Sequence, residues 1–106
     1  MGLFGMFKIH DINKGLKDFE TTQNAVLLDV RTPQEYRMGH IPNSKNVPLD
    51  SIHDVSKVVN DKNIPVFVYC HSGARSAQAS SLLKRMGYTD IRNIGGIASY
   101  TGKVVR

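Results

Sequence analysis

Cys70 is the only cysteine in the sequence, and it stands inside the stretch VFVYCHSGARSAQ, Val66 to Gln78. Four apolar or aromatic residues precede it, and Arg75 follows beyond the short run His71-Ser72-Gly73-Ala74. A thiol at the end of a buried strand, just before a loop that runs into a helix, is placed for nucleophilic chemistry. The loop residues are small or polar, and Gly73 is free to adopt positive φ. Such a loop curls until the backbone N–H groups of His71, Ser72, Gly73, Ala74, Arg75 and Ser76 face one centre, at the positive end of the helix dipole. A thiol held there ionises more readily and attacks at neutral pH. A persulfide formed on it gains the same support, because its outer sulfur carries negative charge into the ring of donors. The competing reading is an inert cysteine buried at a strand end.

The surrounding elements follow from periodicity and punctuation. Asp11 is suited to cap a helix in which Ile12, Leu16 and Phe19 form one apolar stripe up to about Glu20. The run AVLLDV, Ala25 to Val30, reads as a strand buried on both faces of a parallel sheet, with Asp29 at its carboxyl end. Thr32-Pro33-Gln34-Glu35 carries three agreeing helix-start signals: a threonine cap, a proline in first position, and a glutamate that closes a capping box. Gly39 stops that short helix. Turn chemistry follows through Ser44, then a candidate short strand at Asn46 to Leu49 and an amphipathic helix marked by Ile52, Val55, Val58 and Val59. The second buried strand is Pro65 to Tyr69, and the helix after the cysteine loop runs from about Arg75 to Met86, with Ala77, Leu82, Leu83 and Met86 available for packing. Gly87 ends it. Ile91 to Ile94 reads as a last strand, Gly95-Gly96 as a turn, and Ala98 to Thr101 as a terminal helical segment. Strands and helices alternate, which predicts an α/β fold: one domain with a central, mostly parallel sheet of about five strands and helices on both faces.

A chain of 106 residues, 41% hydrophobic and 22% charged, falls in the ordinary globular class and is long enough for one core. The formal charge of +5 raises the question of nucleic acid. Lys and Arg are scattered from Lys8 to Arg106 with no aromatic platform between them, so no nucleic-acid partner is expected. The positive balance instead favours small anions. A lone cysteine forms no internal disulfide, which points to a reducing compartment, the cytoplasm. The opening MGLFGMFK lacks the charge and length of a signal or spanning segment, and Met6 stands where a myristoylation motif needs Ser or Thr. No membrane partner is expected, and residues 1–6 read as a loosely ordered extension. The four histidines and Cys70 lack metal-ligand spacing, so neither a metal nor any other cofactor is expected.

Two separated stretches carry a family resemblance. LLDVRTPQEYRMGHIPNSKNVPL, Leu27 to Leu49, and VFVYCHSGARS, Val66 to Ser76, followed by NIGGI, resemble the rhodanese (thiosulfate sulfurtransferase) domain family over nearly the whole chain. The resemblance implies a single rhodanese module that works through a cysteine persulfide, with Cys70 as the sulfur-carrying residue and His71 to Arg75 as the active-site loop. It also implies that Arg31, at a position that contacts the anionic donor in some members, binds the sulfonate end of thiosulfate; a salt-bridged arginine at a strand end is the alternative. Asp29 is a candidate to orient Arg31 or the loop, or simply to cap a turn. Glu35 has its capping role and a possible pairing with Arg75, which would make Arg75 architectural. His40, in GHIP, reads as a hydrogen-bonded turn histidine. His71 either donates to substrate or points to solvent. Asn43 replaces a frequent glycine, which asparagine tolerates because it accepts left-handed backbone angles; Tyr100 replaces a frequent tryptophan, which puts terminal packing in question more than chemistry.

The implied activity moves a sulfane sulfur from a small anionic donor to a thiol, cyanide or protein acceptor, in an expected monomer. Two rivals remain. A phosphatase or arsenate reductase also cradles an oxyanion on a cysteine loop, but phosphatase-like relatives have a loop one residue longer, and four residues between Cys70 and Arg75 suit a compact sulfur. A persulfide carrier or regulatory binding module acting on a partner protein differs from the enzyme only in its acceptor.

Overall fold

The structure, a computed structural model, describes residues 10–106; the extension expected at residues 1–6 lies outside them. Helix α1, Ile12–Glu20, starts at Asp11, whose carboxylate accepts the Asn13 N–H at 3.0 Å. Its stripe buries Ile12 and Leu16, and the edge of Phe19 meets the Phe67 ring at 5.6 Å. Strand β1, Val26–Asp29, leads into α2, Pro33–Met38, which has the complete capping box between Thr32 and Glu35. After β2, Ser44–Asn46, comes a 3-10 helix at Leu49–Lys57, then β3, Val66–Cys70. Helix α3, Ala74–Arg85, is followed by β4, Ile91–Gly96, and a short 3-10 turn at Ile97–Ser99.

The sheet is parallel, in the order β2-β1-β3-β4. Among the described residues there are four strands, against an expectation of about five. β1 and β3 occupy the centre, in register from Val26 opposite Val66 to Asp29 opposite Tyr69. Alternation along them feeds two cores. Leu28, Val30, Val66, Val68 and Cys70 pack under α3 and the 3-10 helix against Ala79, Leu83, Ile52, Val55 and Val59. Leu27, Phe67 and Tyr69 face the other way, onto Ile12, Leu16, Ile41 and Ile94. Helices cover both faces, and the continuous apolar runs reflect burial on both sides.

Four local expectations change. The strand expected at Asn46–Leu49 lies earlier, at Ser44–Asn46. Val47 and Leu49 still donate to the Asp29 and Val30 carbonyls at 3.0 Å, but these acceptors are adjacent where a regular ladder takes alternate ones, and the pairing ends. The amphipathic helix that follows is 3-10 and kinked at Ser51, and Val58 is exposed. On α3, Leu83 is buried and Leu82 and Met86 pack against the core as expected, but Ala77 is exposed, and Ser76, Ala79 and Ser80 complete the buried side, where close approach to the sheet selects small residues that apolar periodicity does not flag. Gly95-Gly96 is no turn but the end of β4, and the terminal helical segment is only the turn at Ile97–Ser99.

Candidate active site

β3 delivers Cys70 to the carboxyl edge of the sheet, and α3 begins four residues later. Gly73, at the helix cap, has φ of 106°, a conformation that side chains disfavour and that the loop needs to turn its amides inward. The Gly73 N–H donates to Cys70 Sγ at 3.0 Å. The thiol faces the Ser76 hydroxyl at 3.4 Å, and that hydroxyl lies 3.1 Å from the Gly73 carbonyl. Burial pushes the Cys70 thiol up. Hydrogen bonding with the Ser76 hydroxyl and from the N–H groups of Ser76, Gly73 and Ser72 outweighs that effect, so the thiol lies below its ordinary value. The cysteine is only 1% exposed.

The side chains of His71, Ser72 and Ala74 are exposed, and the His71 carbonyl accepts the Ala98 N–H at 3.0 Å. A cleft of about 500 Å3 runs along this side of the loop, between His71, Ser72, Gly73, Gly95, Gly96 and Ala98. Arg75 points instead to Glu35, with Nη1 2.7 Å from Oε1 and Nη2 3.0 Å from Oε2. Each side chain of the pair is about one-third exposed, so it is half-buried and not enclosed. Glu35 Oε1 also accepts the Thr32 N–H and hydroxyl, both at 3.1 Å. The Arg75 guanidinium holds the Glu35 carboxyl down at about 2, against the opposing effect of burial, with help from Thr32. Glu35 therefore both closes the capping box of α2 and pairs with Arg75.

Arg31 is committed inward. Asp29 is fully buried and receives the Arg31 backbone N–H at 2.9 Å, Nε at 3.0 Å and Nη2 at 2.7 Å. Nη2 also donates to the Gly39 carbonyl at 2.7 Å, and the guanidinium carbon lies 5.9 Å from the centre of the Tyr69 ring. Burial works against the charge on Arg31, but the Asp29 bonds and charge outweigh it and raise its pKa. This is the geometry of the salt-bridged alternative, in which Arg31 holds the β1 end to the Gly39 turn. His40 is the turn histidine: its ring stacks on Tyr36 at 3.7 Å, Nδ1 is 2.8 Å from the Tyr36 carbonyl, and its backbone bridges Val105.

Two contributors escaped the sequence reading. The buried hydroxyl of Ser76 touches the thiol, whereas only its N–H was counted; its place in the first turn of α3, facing back to the loop, was the available signal. Gly95 and Gly96 pack against the loop, and their doubling was the signal there.

Residues 8–103 match the family model for the rhodanese-like domain. Among relatives, the chain is 41% identical to the thiosulfate sulfurtransferase PspE of Escherichia coli over 71 residues, covering 66% of this chain and 68% of that one. It is 33% identical to a putative mitochondrial thiosulfate sulfurtransferase of Schizosaccharomyces pombe, covering 91% of this chain and 74% of that one. A solved structure described as a rhodanese with anions from E. coli is 36% identical and superposes with a TM-score of 0.72, covering 77% of this chain and 98% of that chain. With this match and the parallel sheet that delivers Cys70 to its amide-lined loop, the chain belongs to the rhodanese-like domain family.

Proposed function

We propose that this protein is a rhodanese-type sulfurtransferase that carries sulfur as a persulfide on Cys70. The Cys70 thiolate attacks the sulfane sulfur of thiosulfate or of a low-molecular-weight persulfide. A new S–S bond forms to Cys70 as the donor's own bond to that sulfur breaks, and sulfite or a thiolate leaves with the electron pair. A nucleophilic acceptor (cyanide, a thiol or a partner protein) then attacks the outer sulfur and returns Cys70 as the thiolate. The amides of Ser72, Gly73 and Ser76 and the Ser76 hydroxyl stabilise the negative sulfur at each stage. Glu35 and Asp29 support the site through Arg75 and Arg31.

One observation carries this reading: the Gly73 N–H aimed at Sγ from 3.0 Å, on a thiol that lies below its ordinary value despite burial. The family's relatives named as thiosulfate sulfurtransferases support the choice of donor. Intact mass after incubation with thiosulfate tests it. The expected result is a gain of one sulfur that cyanide removes and that the Cys70→Ser variant lacks. No cyanide-labile gain overturns the proposal.

A further inference from the structure

The loop that surrounds Cys70 is held from outside by the end of β4. Pairing of β3 with β4 slips between Val68 and Tyr69, which sets Gly96 opposite Cys70. Gly96 then lies so close to the loop that a Cβ there would sit 2.1 Å from the His71 oxygen and 2.6 Å from Ser72 Cα. Both are backbone atoms with no freedom to swing aside. Two residues on, the Ala98 N–H donates to that same His71 oxygen at 3.0 Å. In a planar trans peptide the C=O of one residue and the N–H of the next point in opposite directions. Fixing the His71 oxygen outward on Ala98 therefore turns the Ser72 N–H inward.

We propose that Gly96 and the Ala98 N–H are positioning residues for the sulfur-binding loop, clamping the His71–Ser72 peptide so that its N–H faces Cys70. The Ser72 amide is among the groups that hold the thiol below its ordinary value, as this orientation requires. The clamp is neutral: β4 brings no ionisable group to the loop at Gly95 or Gly96. Among the described residues, the charged and titratable groups around the loop are Arg75, bound to Glu35, the Asp29–Arg31 pair at the end of β1, the exposed His71 imidazole, and His10, which lines the cleft beside Gly95. Neither Gly96→Ala nor Ala98→Pro adds or removes a charge. The inference rests on Cys70 as the sulfur-carrying nucleophile, but its test does not need sulfur transfer.

The test is the pH dependence of Cys70 alkylation by iodoacetamide in the purified protein and in Gly96→Ala, Ala98→Pro and Gly87→Ala. The last is a control: Gly87 has φ of 101° at the far end of α3, so alanine strains the fold there without touching the loop. Gly96→Ala and Ala98→Pro are expected to raise the thiol pKa by about one unit, cutting the thiolate fraction near neutrality by up to about tenfold, and Gly87→Ala to leave it in place. An unchanged thiol in folded Gly96→Ala, or an equal rise in Gly87→Ala, overturns the clamp. Should the two loop variants not fold, hydrogen exchange in the unsubstituted protein decides: an Ala98 amide slowed at least about tenfold relative to unstructured chain supports the clamp, and one exchanging freely overturns it. Failure of the unsubstituted protein to take sulfur from thiosulfate would overturn the proposed function and leave these thiol readings to judge the clamp separately.

Discussion

Arg75 and Glu35 meet in a two-pronged ion pair that joins the first turn of α3 to the first turn of α2, with contacts of 2.7 and 3.0 Å. The pair ties the helix that follows the Cys70 loop to the turn that leaves β1. It thereby sets one side of the site from two distant parts of the chain.

The pair makes a pH-dependent contribution to stability. The Glu35 carboxyl drops from an ordinary 4.5 to about 2 on folding, chiefly through Arg75. A depressed carboxyl stabilises the fold above its unfolded value, and that support is lost as pH falls through the folded one. Because each partner is about one-third exposed, solvent screening limits the contribution to about 0.5–1 kcal/mol. Glu35→Gln is expected to lower unfolding free energy by that amount near neutrality. Denaturant melts should show the gap between the two proteins closing between 4.5 and about 2.

Ser76 is expected to be felt in the thiol before it is felt in the fold. Its hydroxyl is buried 3.4 Å from Cys70 Sγ, and it supplies the largest of the effects that lower the thiol. Ser76→Ala keeps the helix and the backbone amides but removes that hydroxyl. The thiol pKa should rise by about one unit, from the roughly 1.5–3 kcal/mol of a hydrogen bond to a charged group. Alkylation rate against pH measures it; an unmoved profile would show that the amides alone set the thiol.

Asp29 and Arg31 form the buried ion pair of the molecule's β1 end, with Asp29 fully buried and Arg31 6% exposed. Asp29→Asn leaves the guanidinium buried without a countercharge and is expected to cost about 3 kcal/mol. Arg31→Met should cost a similar amount, and the double variant less than the sum of the two. Unfolding in urea gives all three values. If Arg31 reached the donor, its loss would instead appear as a raised KM for thiosulfate at unchanged stability.

Gly15 gives a case in which helix propensity and packing disagree. Alanine is the better helix former by about 1 kcal/mol. In α1, however, a Cβ at Gly15 would lie 2.5 Å from Ile94 Cγ2 and 2.6 Å from Ile94 Cβ, where the helix crosses β4. Gly15→Ala is therefore expected to destabilise by about 1–3 kcal/mol through overpacking, read as a lowered thermal midpoint.

Residues whose role depends on near neighbours in the chain could be read before any fold was known. Asp11 caps the helix it precedes, Thr32 and Glu35 close their box, and the apolar runs before Asp29 and Cys70 become the two central strands. The Cys70 loop belongs to the same class, since Cys70, Gly73 and the first turn of α3 are contiguous. Each of these rests on hydrogen bonds a few residues long or on a short periodic pattern, so the order of side chains is enough to specify it.

Only the tertiary structure decided which distant groups meet. Arg31 reached the Gly39 carbonyl, Arg75 crossed to Glu35, Ser76 was buried against the thiol, and Gly96 was brought under His71. These outcomes depend on which elements lie side by side and on the register slip that shifts the end of β4 against β3. A side chain's partner across the sheet is set by the packing of whole elements, and sub-ångström room at a place such as Gly96 exists only once those elements have closed on one another.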